Sequence, residues 1–211
     1  MKLTVVTPQI PEARSGNWMT AARYRRILTG LGHRVRLTTR YEGEPCDGLI
    51  ALHARRSQAS IRRFVEEHPN LPLVVVLTGT DLYRDIHDDM DAQRSLELAG
   101  RLVVLQRMGV PELPERHRSK TRVIYQSVEG CSAGDARRPS RFFKVAVVGH
   151  LRSEKDPLRT ARAARRLPPE SRIRVVHIGG ALDGELADEA RRESAQNPRY
   201  RWLGGVPRWK A

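Results

Sequence analysis

The stretch VAVVGHLRSEKDPLRTARAARRL, from Val145 to Leu167, decides the fold class. Its first four residues are apolar without alternation, which predicts a buried parallel strand. Gly149 follows it, and after Pro157 comes an Ala/Arg-rich helical stretch. The polar segment between them holds His150, Arg152 and Lys155. A strand, a glycine turn and a helix N-terminus present backbone N–H groups and a positive dipole end to an anion. We therefore expect a phosphate-binding loop in an α/β domain.

The same order of strand, loop and helix recurs along the whole chain. Apolar runs predict strands at 2–7, 35–38, 49–52, 73–77, 102–105, 123–125, 145–148, 173–178 and 200–203. Helical spacing predicts helices at 18–31, 57–68, 91–99, after Pro157 and around 185–193. This alternation favours parallel sheets covered by helices. Ligands of such sheets bind beyond the carboxyl ends of the strands.

A shift in composition divides the chain. The segment EGCSAGDARRPS, residues 129–140, has no apolar periodicity and predicts a linker. We therefore expect a Rossmann-like domain over 1–128 and a second Rossmann-like domain that begins at 141 and is incomplete at 211. A short sheet with an uncovered edge and face predicts self-association.

The net charge of +14 suggests a nucleic-acid ligand, but its distribution does not. Residues 1–128 carry 20 basic and 14 acidic groups, and residues 129–211 carry 18 and 10. The excess is therefore spread along the chain, and no basic run is interleaved with aromatic residues. We do not expect nucleic acid as the main ligand, and an anionic small substrate fits the same charge.

The two cysteines and the N-terminal sequence favour a cytoplasmic location. Cys46 and Cys131 have no metal-like spacing, which favours free thiols in a reducing cytoplasm. The N-terminal apolar run is too short for a secretory signal, and no run approaches the length of a membrane span. We nominate no metal ligand and no cofactor.

Three segments follow predicted strands of the first domain and are candidate sites. Ser15-Gly16-Asn17 precedes a helix and can bind a phosphate through free N–H groups, or it can be an ordinary N-cap. His53, Arg55 and Arg56 can contact an anionic substrate, or they can form a solvated helix start. Thr78, Thr80 and Asp81 place hydroxyls and a carboxylate after the strand 73–77. Asp81 can be a general base, can orient an acceptor hydroxyl, or can cap the next segment.

The second half and the domain junction supply the remaining candidates. His150, Arg152 and Lys155 form the strongest cluster, with a solvated loop or a domain-contact patch as the alternatives. His177 ends the next strand and fits a packed histidine. Gln126 lies in the segment that ends the first half, where we expect a contact role.

Two Rossmann-like domains with a phosphate site opening the second are typical of GT-B glycosyltransferases, and several stretches resemble their family 4. In that family the second domain opens with Gly-Arg-Leu, three residues and Lys-Gly, where arginine and lysine bind the donor diphosphate. This chain has Gly149-His150-Leu151 and Lys155, with Arg152 nearby. The His-Gly-Thr-Asp of the first domain is matched by Thr78-Gly79-Thr80-Asp81, without its histidine.

Longer stretches resemble the selenosugar synthases of selenoneine biosynthesis. These stretches cover most of the chain: PCDGLIALHARRS, LTGTDLYRD, RSLELAGRLVVLQ, RVIYQS, GHLRSEKDPLRTA, RIRVVHIGGALD and NPRYRWLGG. The resemblance implies transfer of N-acetylglucosamine or glucose from a UDP-sugar to the selenium of selenophosphate. Family members continue beyond Ala211 into a glutamate-containing donor motif, so we expect a C-terminally truncated chain with weak donor binding and slow or no turnover.

The resemblance assigns roles to the candidates. Donor phosphates are expected at Ser15, Gly16 and Asn17 and at Gly149, His150, Arg152 and Lys155. The acceptor is expected at His53, Arg55, Arg56 and Gln126, and the chemistry at Thr78, Thr80 and Asp81. Three alternatives stay open. They are a family 4 transferase with a hydroxyl or thiol acceptor, a non-catalytic protein that binds anions or nucleic acid, and an inactive remnant that only pairs through its exposed sheet.

Overall fold

The computed structural model describes residues 1–8, 16–127 and 140–206. The chain forms two compact units, Met1–Gly130 and Cys131–Ala211. The predicted linker over 129–140 lies outside the described residues except for Ser140, and so does Cys131. The linker therefore stays a prediction.

The first unit contains a six-stranded sheet in which every neighbouring pair is parallel. Its strands are β1 (Lys2–Val6), β2 (Arg34–Thr38), β3 (Gly48–Leu52), β4 (Leu73–Leu77), β5 (Arg101–Val104) and β6 (Thr121–Val123). Its helices are α1 (Gly16–Gly30), α2 (Gln58–Glu67), α3 (Ile86–Asp88), α4 (Met90–Leu98) and α5 (Glu115–Arg118). The predicted α/β class is confirmed.

The strand order places a binding crevice in this unit. The order is β2-β1-β3-β4-β5-β6, so the chain moves in opposite directions on the two sides of β1. In open α/β sheets, ligands bind at the carboxyl ends of the strands where the order reverses. Here those ends are Thr7, after β1, and His53, after β3.

Both faces of this sheet are buried, which explains its continuous apolar strands. One face packs against α1 through Ala21 and holds Val5 and Leu52. The opposite face packs against α2 and α4 and includes Phe64 and Leu96.

The element bounds differ from the predictions at a few places. The helix α1 begins at Gly16, two residues before the predicted start. The strand β6 pairs with β5 over Thr121–Val123, so it does not extend to Tyr125 as predicted. After β4 the chain forms one turn of π-helix, Asp81–Asp85, which periodicity did not predict.

The second unit has a three-stranded parallel sheet with two helices. Its strands are β7 (Phe143–Val148), β8 (Ile173–Ile178) and β9 (Tyr200–Trp202), in the order β7-β8-β9. Its helices are α6 (Arg159–Arg165) and α7 (Gly184–Gln196).

The prediction that Val145–Val148 is buried was wrong. None of the residues of β7 is fully buried, and Val148 is 72% exposed. The reason is that α6 and α7 pack on one face of the sheet, against Val145, Val147 and Val175. The alternating residues of β7, which include Ala146 and Val148, lie on the other face, which no described helix covers.

The described residues contain neither a membrane-spanning helix nor a metal-binding group of side chains. No helix within 1–8, 16–127 and 140–206 is long and apolar enough to cross a membrane. In the same ranges, no three histidine, cysteine or acidic side chains are grouped so as to hold a metal ion.

Candidate functional site

The first candidate site lies where β3 and β4 end. These strands are parallel neighbours, with Leu52 paired to Val76, so their carboxyl ends lie side by side. Residues 53–57 after β3 therefore meet residues 78–85 after β4. We call this group the β3–β4 cluster. It contains His53, Arg55, Arg56, Thr78, Thr80, Asp81 and Asp85.

Asp81 joins the two loops of the β3–β4 cluster. Its Oδ1 accepts hydrogen bonds from the N–H groups of Thr78 and Gly79, both at 2.9 Å. Its Oδ2 accepts a hydrogen bond from the N–H group of Ala54 at 3.0 Å. The side chain is fully buried. Both carboxylate oxygens are occupied by backbone donors that lie outside the segment following Asp81, so the carboxylate links the two loops and does not cap the next segment.

His53 lies below the surface of the β3–β4 cluster. It has a positive φ of 72° and is only 2% exposed. Its Nε2 lies 3.2 Å from the hydroxyl oxygen of Thr80, and its Nδ1 accepts a hydrogen bond from the N–H group of Arg56 at 3.4 Å. Burial lowers the pKa of His53, and the charge of nearby Asp81 opposes this effect. A buried neutral imidazole orients its neighbours and offers little surface to an acceptor.

The two neighbouring arginines differ in their partners. The Arg55 guanidinium lies 3.5 Å from Asp85 Oδ1 and 3.3 Å from Asp89 Oδ2. Arg84 Nε lies 3.1 Å from the same Asp85 oxygen. Arg56 is exposed, and among the described residues its guanidinium has no acidic partner. Of the two arginines predicted to bind the acceptor, Arg56 has the charge available.

Asp85 is the residue that sequence reasoning missed. It is 4% exposed, and its Oδ2 lies 4.0 Å from His53 Nε2. The π-helical turn brings it into the β3–β4 cluster, and no periodicity indicates such a turn. A buried acid beside two arginines is visible only after folding.

Gln126 contacts the start of α1. Its Nε2 donates to Thr20 Oγ1 at 2.8 Å, and Thr20 Oγ1 donates to the carbonyl of Gly16 at 2.9 Å. The helix α1 opens with Gly16 and Asn17, whereas Ser15 lies outside the described residues. Gln126 therefore contacts α1, and its predicted roles at the domain junction and toward an acceptor stay predictions.

The second candidate site is the loop that follows β7. Gly149 donates its N–H to the Ile178 carbonyl at 2.9 Å, and His177 Nε2 lies 3.0 Å from the Gly149 carbonyl oxygen. His177 Nδ1 lies 2.9 Å from the hydroxyl oxygen of Tyr200. His177 is fully buried, which confirms the prediction of a packed histidine. Burial lowers the pKa of His177 and raises that of Tyr200 to about 12. This buried pair holds the position of the Gly149 carbonyl.

Gly179 permits the tight approach of the two neighbouring loops. A Cβ on Gly179, whose φ is 156°, would overlap the carbonyl group of Gly149. Leu151 donates its N–H to the Gly180 carbonyl at 3.0 Å. In the described part of the chain, the N–H groups of His150 and Gly180 have no hydrogen-bond acceptor. Free N–H groups at the carboxyl end of a parallel sheet are suited to an anion.

The basic residues of this loop are accessible, but the predicted helix N-terminus is not beside them. His150 and Lys155 are exposed, and Arg152 lies 3.3 Å from Glu154. Lys155 belongs to a 3-10 turn, Ser153–Lys155, and Asp156 follows in a left-handed conformation with φ 41°. The helix α6 begins only at Arg159. The helix predicted after Pro157 is therefore confirmed, although the turn Ser153–Lys155 separates its start from the Gly149 end of the loop.

The fold is similar to that of several solved structures that contain UDP. Anabaena HepE in complex with UDP and glucose is 18% identical, with a TM-score of 0.62 over 98% of this chain and 70% of that chain. Anabaena HepE in complex with UDP-glucose is 15% identical, with a TM-score of 0.61 over 98% and 70%. The Staphylococcus aureus MnaA–UDP structure is 12% identical, with a TM-score of 0.59 over 97% and 68%. At these identities the likeness shows the fold, which is α/β and GT-B-like as predicted.

Comparisons of sequence alone added no relative. No protein-family model matches the chain, and no curated protein matches it.

Proposed function

We propose that this protein is a glycosyltransferase that moves N-acetylglucosamine or glucose from a UDP-sugar to the selenium of selenophosphate. The observation that carries the donor half is the likeness in fold, over nearly the whole chain, to structures that contain UDP and UDP-glucose. The quoted sequence stretches support the acceptor half.

The Gly149 loop supports the binding of a diphosphate. Among the described residues, the N–H groups of His150 in this loop and of Gly180 in the loop after β8 have no acceptor, and the ammonium of Lys155 is exposed. Fixed donors and cations of this kind stabilise the charge that develops on a leaving UDP. Transfer requires this stabilisation whichever acceptor attacks.

The β3–β4 cluster supports an acceptor that needs no general base. Among the candidates Thr78, Thr80 and Asp81, only Asp81 can act as a base, and backbone N–H groups occupy its oxygens. A hydroxyl acceptor needs proton removal, whereas selenophosphate is already a strong nucleophile. The Arg56 guanidinium, which has no acidic partner in the described part of the chain, fits the oxyanions of selenophosphate.

The proposed reaction balances without an oxidant. Selenium forms a bond to C1 of the sugar while the bond from C1 to the UDP oxygen breaks, and UDP leaves with the electron pair. Water then cleaves the phosphorus–selenium bond and releases phosphate and the 1-selenosugar. No metal or cofactor is assigned a role.

Because the resemblance predicts slow or no turnover for a truncated chain, the direct test uses the protein extended by the expected donor motif. It is incubated with UDP-N-acetylglucosamine or UDP-glucose and one of three acceptors. These are selenophosphate, thiophosphate and a mixture of sugars and thiols, with mass spectrometry as the readout. We expect a selenosugar and UDP from selenophosphate. Products from the hydroxyl or thiol mixture alone favour another family 4 type transferase. Absence of UDP binding, together with nucleic-acid affinity that falls steeply with salt, favours the non-catalytic alternative.

Lys155→Ala tests the donor half of the proposal. Loss of the ammonium removes stabilisation of the leaving diphosphate, so we expect turnover to fall about hundredfold. Lys144→Ala removes another exposed lysine of the same unit and is the matched control. Initial rates of UDP release measure both variants. Equal rates for the two would contradict the role of Lys155.

A further inference from the structure

The imidazole of His53 lies between two hydrogen-bonding groups of the β3–β4 cluster. On one side is the N–H group of Arg56, 3.4 Å from Nδ1, and on the other is Thr80 Oγ1, 3.2 Å from Nε2. A backbone N–H can only donate, so Nδ1 must accept and cannot carry a proton. A neutral imidazole with an unprotonated Nδ1 carries its hydrogen on Nε2.

The charges around the imidazole agree with this tautomer. Asp85 Oδ2 is 4.0 Å from Nε2, too far for a hydrogen bond, and Arg55 and Arg84 lie beside the other Asp85 oxygen. The charge of Asp81 raises the pKa of His53, and the charge of Arg56 lowers it. The Nε2–H therefore points to one acceptor, the Thr80 hydroxyl.

This bond fixes the direction of the Thr80 hydroxyl. A hydroxyl has one hydrogen to donate and two lone pairs that accept. Because His53 donates to the oxygen, the Thr80 O–H remains available for another acceptor, and the described residues supply none. Thr80 is partly exposed, whereas His53 is buried. The free hydrogen therefore belongs to the side chain that a substrate can reach.

We infer that His53 is a positioning residue that orients the Thr80 hydroxyl as a hydrogen-bond donor to an oxygen atom of an anionic, phosphate-like acceptor. The inference rests on the proposed function for the identity of that acceptor. Arg56 completes the arrangement, because its N–H group sets the tautomer of His53 while its guanidinium has no acidic partner among the described residues. His53 acts through Thr80, and Thr80 makes the contact with the acceptor.

Four variants separate this role from a merely structural one. His53→Asn keeps an acceptor near the Arg56 N–H and tolerates the positive φ, but its side chain is too short to reach Thr80. His53→Gln reaches Thr80 with an amide N–H. Thr80→Val removes the hydroxyl at nearly constant shape, and Thr80→Ser keeps it.

The first readout is the affinity for inorganic thiophosphate, measured by calorimetric titration, because binding requires no turnover. We expect Thr80→Val and His53→Asn each to weaken binding about tenfold, the loss of about one hydrogen bond to an anion. Thr80→Ser and His53→Gln should stay close to the unchanged protein. The double variant His53→Asn/Thr80→Val should bind no more weakly than Thr80→Val alone, because His53 acts only through Thr80. A further tenfold loss in the double variant, or no loss in the single variants, would overturn the inference.

Nitrogen-15 spectra of histidine-labelled protein give a second, independent readout. We expect the histidine signal that disappears in His53→Asn to show a protonated Nε2 and an unprotonated Nδ1 at neutral pH. Its Nε2 resonance should shift in Thr80→Val and stay in place in Thr80→Ser. The opposite tautomer overturns the inference even if selenosugar forms. Absence of transfer, with thiophosphate binding and spectra as expected, overturns only the proposed function.

Discussion

At the scale of single residues, the two candidate sites share one device. In each, a buried histidine at the end of a strand contacts the loop of a neighbouring strand: His53 contacts Thr80, and His177 contacts the Gly149 carbonyl. Each histidine is neutral, because burial lowers its pKa. Rigid loops at strand ends hold reacting groups in place, which is a main source of catalytic rate.

Gly179 offers the sharpest test of the packing of the Gly149 loop. Gly179→Ala places a Cβ into the Gly149 carbonyl group and forces a backbone movement. We expect the free energy of unfolding of the second unit to fall by about 3 kcal/mol. Gly180→Ala is the control, since its Cβ would meet the His150 ring at an ordinary 3.5 Å. Urea unfolding measures both, and equal stability would contradict the close approach.

His177 predicts the pH dependence of stability in the second unit. Its pKa in the folded protein lies below the ordinary 6.5, so acidification protonates the unfolded state first. We therefore expect stability to be complete above about pH 6.5 and to fall as the pH decreases below it. His177→Gln should flatten this dependence, whereas His150→Gln, at an exposed histidine, should not. Hydrogen exchange over residues 173–178 measures the effect, and identical pH profiles would refute it.

At the scale of elements, caps and turns determine where the loops begin. The helix α7 begins after Asp183, whose Oδ1 accepts the N–H of Leu186 at 3.2 Å. The helix α4 begins in the same way after Asp89, which also contacts Arg55. The sequence predicted both helices to within a few residues. It did not predict the π-helical turn that brings Asp85 beside Arg55, because such a turn depends on tertiary packing.

Asp183 gives a prediction at this scale. Asp183→Ala leaves one N–H group of the first turn of α7 without its acceptor, and we expect a loss of about 1 kcal/mol in unfolding free energy. Asp183→Asn keeps the cap and should retain most of the stability. Thermal unfolding compares the two, and a loss of equal size in both would point to charge rather than capping.

At the scale of the whole molecule, the two sheets are covered differently. The first is covered by helices on both faces, and in the second α6 and α7 share one face. On the face that no described helix covers, β7 presents Lys144, Ala146 and Val148, and Val148 is 72% exposed. A strand edge and an exposed apolar side chain that no described helix covers favour association.

Self-association through β7 therefore stays our prediction. Sedimentation velocity should show a coefficient that rises with protein concentration. Val148→Lys places a charge on the uncovered face and should suppress the rise. Met90→Lys adds the same charge at an 83% exposed position of the first unit and should leave it unchanged. A coefficient independent of concentration would end the prediction.

The sequence by itself determined the class of fold, the order of the elements and most of the strand bounds. Hydrophobic periodicity, glycine and proline are local signals, and strands such as β4 and β8 carry them without ambiguity. Only the tertiary structure decided which polar groups are free. Asp81 and Arg55 are engaged, whereas Arg56 and the Thr80 hydroxyl hydrogen are available. Hydrogen bonds between loops of different strands create this difference. The partners His53 and Thr80, and likewise Ala54 and Asp81, lie 27 residues apart in the chain, beyond the reach of any local pattern.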